Sequence, residues 1–133
     1  MDILQPSPSV IVFQRPDEGA NASLIQTAKG AVVIDTTSCP ADMQALLDAA
    51  DVSPADVCLV INTHSHSDHT WGNQLFDCPI LAHNVCHETM VANMEGSWDL
   101  DTIRADIAAR GEQEPQLDFI QMSGFRPHNK ANL

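Results

Sequence analysis

Short apolar runs alternate with polar turns along this chain, and their periodicity sorts it into strands and helices. Val10-Ile11-Val12-Phe13 is an apolar run and predicts a strand. Ala22-Ser23-Leu24-Ile25-Gln26-Thr27 alternates with period two and predicts a second. Lys29-Gly30 marks a turn before a third, Ala31-Val32-Val33-Ile34-Asp35, so the last two form a hairpin. Pro40 suits the first position of a helix on which Met43, Leu46, Leu47 and Ala50 recur at helical spacing, until Pro54 interrupts. Val57-Cys58-Leu59-Val60-Ile61 is unbroken apolar sequence. It predicts a strand buried on both faces, with Cys58 as a small core residue.

Further on, Asn73 to Phe76 predicts a short helical turn and Pro79-Ile80-Leu81-Ala82 a short strand. Asn84 is the expected cap of a helix carrying Val85, Met90, Val91 and Met94, whose methionines read as core packing. Leu100, Ile103 and Ile107 predict an amphipathic helix with Asp99 or Ser97 as its cap and Gly111 at its end. Beyond Gln116 the pattern decays. Leu117 to Met122 fits a strand, and Ser123 to Leu133 has no periodicity. No apolar run approaches the roughly 20 residues that span a bilayer. The N-terminus has neither the basic region nor the apolar segment of a signal peptide, so a cytoplasmic location is expected.

Charge narrows the range of partners. Eighteen acidic residues against six basic ones give a formal net charge of −12. That field repels phosphate backbones and anionic lipid, so neither nucleic acid nor a membrane is an expected partner. The four cysteines, Cys39, Cys58, Cys78 and Cys86, contain no C-x-x-C pair, which argues against a zinc ribbon or a thioredoxin-type site.

The densest chemistry follows directly on the strand ending at Ile61. His64-Ser65-His66-Ser67-Asp68-His69 places four metal-ligand side chains in six residues. In extended backbone, residues two apart point the same way, so His64 and His66 aim two imidazoles at one point. Asp68 and His69 follow after the chain turns and reach a second point nearby. Imidazole with carboxylate suits a borderline ion such as zinc, with manganese or iron as alternatives.

This segment resembles the metallo-β-lactamase superfamily, whose H-x-H-x-D-H signature it matches throughout. Asn21 to Ile25, Gly30 to Thr36, Trp71-Gly72-Asn73 and Ile80 to His83 are similar to the family as well, so the resemblance covers roughly residues 9–115. It implies an α/β fold, half of an αββα sandwich, with a mixed sheet and helices on one face. Residues 1–116 would be the N-terminal part of the domain and 117–133 a divergent or truncated tail.

The resemblance also implies roles. His64 and His66 would share a first metal, and Asp68 and His69 a second, so one or two zinc ions are expected. Asp68 would be the catalytic residue, holding or receiving a proton from the metal-bound water, and the hydroxide would attack an ester, lactone, thioester, amide or phosphoester of a small-molecule substrate. Asp35 would orient the loop or a ligand. The family's second half supplies a third His within a Gly-His-Thr turn, a bridging Asp and a last His, and no matching segment occurs here. His128 is the candidate extra ligand. An alternative expectation is therefore a non-catalytic half-domain or truncated gene product that binds metal weakly, self-associates or needs a complementing half-domain.

Overall fold

The computed structural model of the chain describes residues 2–15 and 20–109. Within them, strands β1 (Asp2–Ser7), β2 (Val10–Gln14), β3 (Ala22–Thr27), β4 (Gly30–Ile34), β5 (Val57–Ile61) and β6 (Ile80–Leu81) form one mixed sheet, in chain order from edge to edge. The first four pair antiparallel, and β4–β5 and β5–β6 pair parallel. The parallel pairs require crossovers. Helix α1 (Pro40–Ala49) makes the first, and a short helix α2 (Ser67–Thr70) with a 3-10 turn (Trp71–Leu75) makes the second. Helices α3 (Asn84–Met94) and α4 (Leu100–Ala109) follow.

Register explains which face became the core. Ile11, Leu24, Val33, Val60 and Ile80 lie side by side across the sheet. Leu24, Val33, Val60 and Ile80 are buried there with Met43, Leu46 and Leu47 of α1 and Cys86 and Met90 of α3. Fully burying such a side chain contributes about 1.5–3 kcal/mol each. The neighbouring row, Leu4, Val12, Ser23, Ile34, Ile61 and Leu81, points to the opposite face. That face is half-buried at best, and Leu4 and Leu81 are 49% and 38% exposed.

Several expectations are corrected by this layering. β5 is buried on the helix side alone, and a register irregularity in its pairing with β4 leaves Cys58 exposed instead of in the core. β1 carries no strong strand signal, since Ile3 and Leu4 are both exposed and Pro6 interrupts it. It forms as an edge strand, where a missing N–H is tolerated. β4 stops at Ile34, one residue short of the expected Asp35, because Asp35 turns to a positive φ of 60°. Asn84 opens α3, but the cap is His83, whose Nδ1 accepts from the Val85 amide. Asp99 caps α4 by accepting from the Thr102 amide, and Pro40 is the first residue of α1. Gly111 and the segment 117–133 lie outside the described residues.

Candidate metal centre

Two segments meet at the carboxyl ends of β4 and β5. The first, Asp35-Thr36-Thr37, is backbone under constraint, since Asp35 and the β-branched Thr37 hold φ of 60° and 65°. Non-glycine residues in this left-handed region cost roughly 1–2 kcal/mol each. The turn carries the Asp35 carboxylate, 4% exposed, underneath the histidine loop. There Asp35 accepts from the Thr63 amide at 2.8 Å, the Thr63 hydroxyl at 2.7 Å and His69 Nδ1 at 2.7 Å.

Counting protons fixes both tautomers. A carboxylate only accepts, so His69 Nδ1 must carry the hydrogen in that bond. The Thr63 hydroxyl has one proton and gives it to Asp35. Its 2.9 Å contact with His64 Nδ1 is therefore made by His64 donating. One buried carboxylate thus keeps the proton on Nδ1 of two histidines, directly at His69 and through Thr63 at His64. In the neutral rings both Nε2 atoms keep their lone pairs, the form that ligates a metal.

The rings converge. The centroid of His64 lies 4.7 Å from that of His66 and 4.1 Å from that of His69. Asp68 places a carboxylate oxygen 3.7 Å from His69 Nε2 while staying 37% exposed at its side chain, so it meets both the imidazole and solvent. One ligand atom each from Asp35, His64 and His69 also lie within 4.8 Å of one another. Two imidazoles and a carboxylate are donors suited to a borderline divalent ion, and the expected ligands His66 and Asp68 stand outside this group of three. Asp35 is occupied by three donors, which suits it to orienting His69. Asp68 is partly exposed beside His69 Nε2, and His64 and His69 keep Nε2 free of the bonds that engage their Nδ1 atoms. Of the other histidines, His83 serves as the α3 cap and His87 sits half-buried on that helix. His128 lies outside the described residues.

Burial raises the Cys39 thiol above its ordinary value, and Cys39 accepts weakly from the Asp42 amide as the cap of α1. Burial also raises the Cys86 thiol, helped by the negative charge of Asp35. Both remain neutral thiols near pH 7 and bring no charge to the centre.

Reasoning from the sequence passed over the groups that hold the loop. Thr63 is the relay to His64, and Asn62, Asn73 and Thr36 are buried polar residues bonded to one another. Their sequence signal is slight but real: an apolar strand ending in Asn, with a second Asn beyond the ligand cluster.

Comparison with known proteins bears on the family and the fold. Residues 15–122 match the sequence model of the metallo-beta-lactamase superfamily. A human "Metallo-beta-lactamase domain-containing protein 1" is 39% identical over 77 residues, covering 54% of this chain and 29% of that protein. The chain therefore spans under a third of the curated relative's length. Among solved structures, MEM-A1, a subclass B3 metallo-beta-lactamase from a soil metagenome library, aligns with 68% of this chain and 36% of its own at 23% identity and a TM-score of 0.58. A quorum-quenching N-acyl homoserine lactone lactonase aligns with 53% and 35% at 22% identity and a TM-score of 0.50. At these identities the two structures speak for the fold.

Proposed function

The chain belongs to the metallo-beta-lactamase superfamily, and from that premise we propose that it carries the metal-binding wall of a metal-dependent hydrolase. The observation that supports this reading is the pair of histidines His64 and His69, whose Nδ1 atoms are engaged directly or through Thr63 by one buried carboxylate, beside Asp68. His64 and His66 would hold one ion, and Asp68 with His69 a second, zinc being the metal best suited to this donor set. A bound ion of this kind acidifies water and stabilises negative charge on an oxygen. The chain's own part is to place Asp68 where it orients a water and takes its proton, while Asp35 and Thr63 keep the imidazoles in their ligating form. Esters, lactones, thioesters, amides and phosphoesters share the electrophilic centre such a site attacks. No described helix is long and apolar enough to cross a membrane.

The test is elemental analysis of the full chain purified with zinc supplied, followed by hydrolysis assays across those substrate classes. Stoichiometric zinc with turnover of one class supports the reading. Zinc content well below one equivalent overturns it.

A second reading rests on a different observation, the apolar sheet face opposite the helices. It favours a non-catalytic half-domain that binds metal weakly and completes itself against another copy or a complementing half-domain. Light scattering distinguishes the two, because a stable monomer with full zinc occupancy contradicts it.

A further inference from the structure

His64, His66, Asp68 and His69 all lie between two asparagines, Asn62 and Asn73, whose amides bond to each other. Asn62 Nδ2 donates to Asn73 Oδ1 at 3.0 Å, and Asn73 Nδ2 donates back to Asn62 Oδ1 at 2.7 Å. The ring so formed is buried, with Asn62 4% and Asn73 0% exposed. It joins residues eleven positions apart, at the neck of the ligand-bearing loop.

The ring is tied to the turn after β4. The Thr36 hydroxyl donates to Asn73 Oδ1 at 2.8 Å. The Thr36 amide donates to the His69 carbonyl at 2.9 Å, and Asn62 Nδ2 lies 3.4 Å from that same carbonyl. Gly72, next to Asn73, packs so closely on Thr36 that a Cβ there would overlap the Thr36 carbonyl. A buried polar network of this kind is seldom the most stable filling of a core, since apolar side chains of similar volume often do as well. It does specify one geometry.

We infer that the Asn62–Asn73 amide pair is a buckle that closes the metal loop and, through Thr36, positions His69. The inference rests on the metal reading proposed above, but the buckle can be observed without metal. A loop closed in advance leaves less ordering to be done when an ion binds. Asn62, Asn73 and Thr36 are positioning residues, acting on the ligands through the backbone of His69.

The test uses the full chain and two sets of variants. The double variant Asn62→Leu/Asn73→Leu replaces the ring by an apolar pair. Thr36→Val removes the hydroxyl while keeping its shape, and Thr36→Ser restores it. Two signals are read on each folded protein: the imidazole nitrogen resonances of His69 without metal, and affinity for cobalt(II). We expect the double variant and Thr36→Val to move the His69 resonances and to lose about 10–100-fold in cobalt affinity, the usual cost of removing groups that orient ligands. Thr36→Ser should keep both near the wild type. Should the double variant fail to fold, Thr36→Val against Thr36→Ser decides the question. Unchanged His69 resonances in the folded variants would overturn the buckle. Failure of the wild type to bind cobalt would sink the metal reading instead, with the resonances still deciding the buckle.

Discussion

His69 Nδ1 donates a 2.7 Å hydrogen bond to the Asp35 carboxylate, joining residues thirty-four positions apart in the chain. The bond spans the first crossover, starts within the second and ends on a group that also accepts twice from Thr63. Asp35 therefore governs the loop's backbone and two imidazole tautomers together. Replacing it by Asn presents either an amide donor or a weaker acceptor to a site built for three donors. We expect Asp35→Asn to lower divalent-metal affinity about 10–100-fold with the fold retained. Calorimetric titration of zinc into wild type and variant checks this, and equal affinities would show that Asp35 is dispensable to the centre.

Thr63 allows a finer version of the same experiment. Its hydroxyl carries the acceptor strength of Asp35 to His64, and the residue is exposed, so Thr63→Val should cost little stability. In neutral His64 the proton is then free to move to Nε2, the atom needed for a metal. Imidazole nitrogen shifts should report mixed tautomers at His64 and an unchanged His69. A His64 that keeps Nδ1–H in this variant would mean that Thr63 is not the relay.

Gly72 gives the clearest prediction about stability. A Cβ at this position overlaps the Thr36 carbonyl oxygen and carbon, which are backbone and cannot step aside cheaply, and presses on the Thr36 Cβ. Overpacking of a closed site costs typically about 1–3 kcal/mol. Gly72→Ala should unfold at lower denaturant by about that amount, with weakened metal uptake, because the loop must lift from the β4 turn. A chemical denaturation midpoint matching the wild type would contradict the close approach.

How much of this was written in the sequence depends on the range of each interaction. Periodicity located β2 to β5, α1, α3 and α4 because those elements bury one face, and alternation or helical spacing records that burial locally. β1 was not legible, since an edge strand with Ile3 and Leu4 exposed leaves no such record. The four ligand candidates were legible as a cluster because they are adjacent in the chain. The Asn62–Asn73 ring and the Thr63 relay were not, because a hydrogen bond between polar side chains has no period. The half-open state of β5 was misread for a related reason: an unbroken apolar run looks alike whether its second face meets a partner or none.

The buried thiols predict a chemical ordering and a pH dependence. Cys58 is exposed, whereas Cys39 and Cys86 are buried with their thiols raised above 9.0. Iodoacetamide in limiting amount should label Cys58 first and reach Cys39 and Cys86 only on unfolding. An acid whose folded pKa is raised holds its proton more tightly in the folded state. The corresponding stability is present below 9.0 and declines as pH rises above it, where the unfolded chain releases protons that the folded one keeps. Denaturation midpoints should therefore fall between pH 9 and the raised values. Labelling of Cys39 ahead of Cys58 in the native protein would show that the α1 cap is open.

The sheet face that no described helix covers sets two opposing forces on association, and salt separates them. Val32, Ile34, Leu59, Ile61 and Leu81 line it with apolar side chains, which favour burial against a matching surface. A charge of −12 on each copy repels a second copy at long range. Salt screens the repulsion within about 10 Å at 0.1 M and leaves the apolar attraction in place. Self-association should accordingly strengthen with ionic strength, the reverse of what a charge-paired interface would do. Ile61→Lys places a charge in the middle of the face without touching the helix-side core, so it should abolish the salt-promoted species while leaving the melting temperature near that of the wild type. Light scattering across a salt series measures both effects. A wild type that stays monomeric at every salt concentration would leave the face to a different partner or to none.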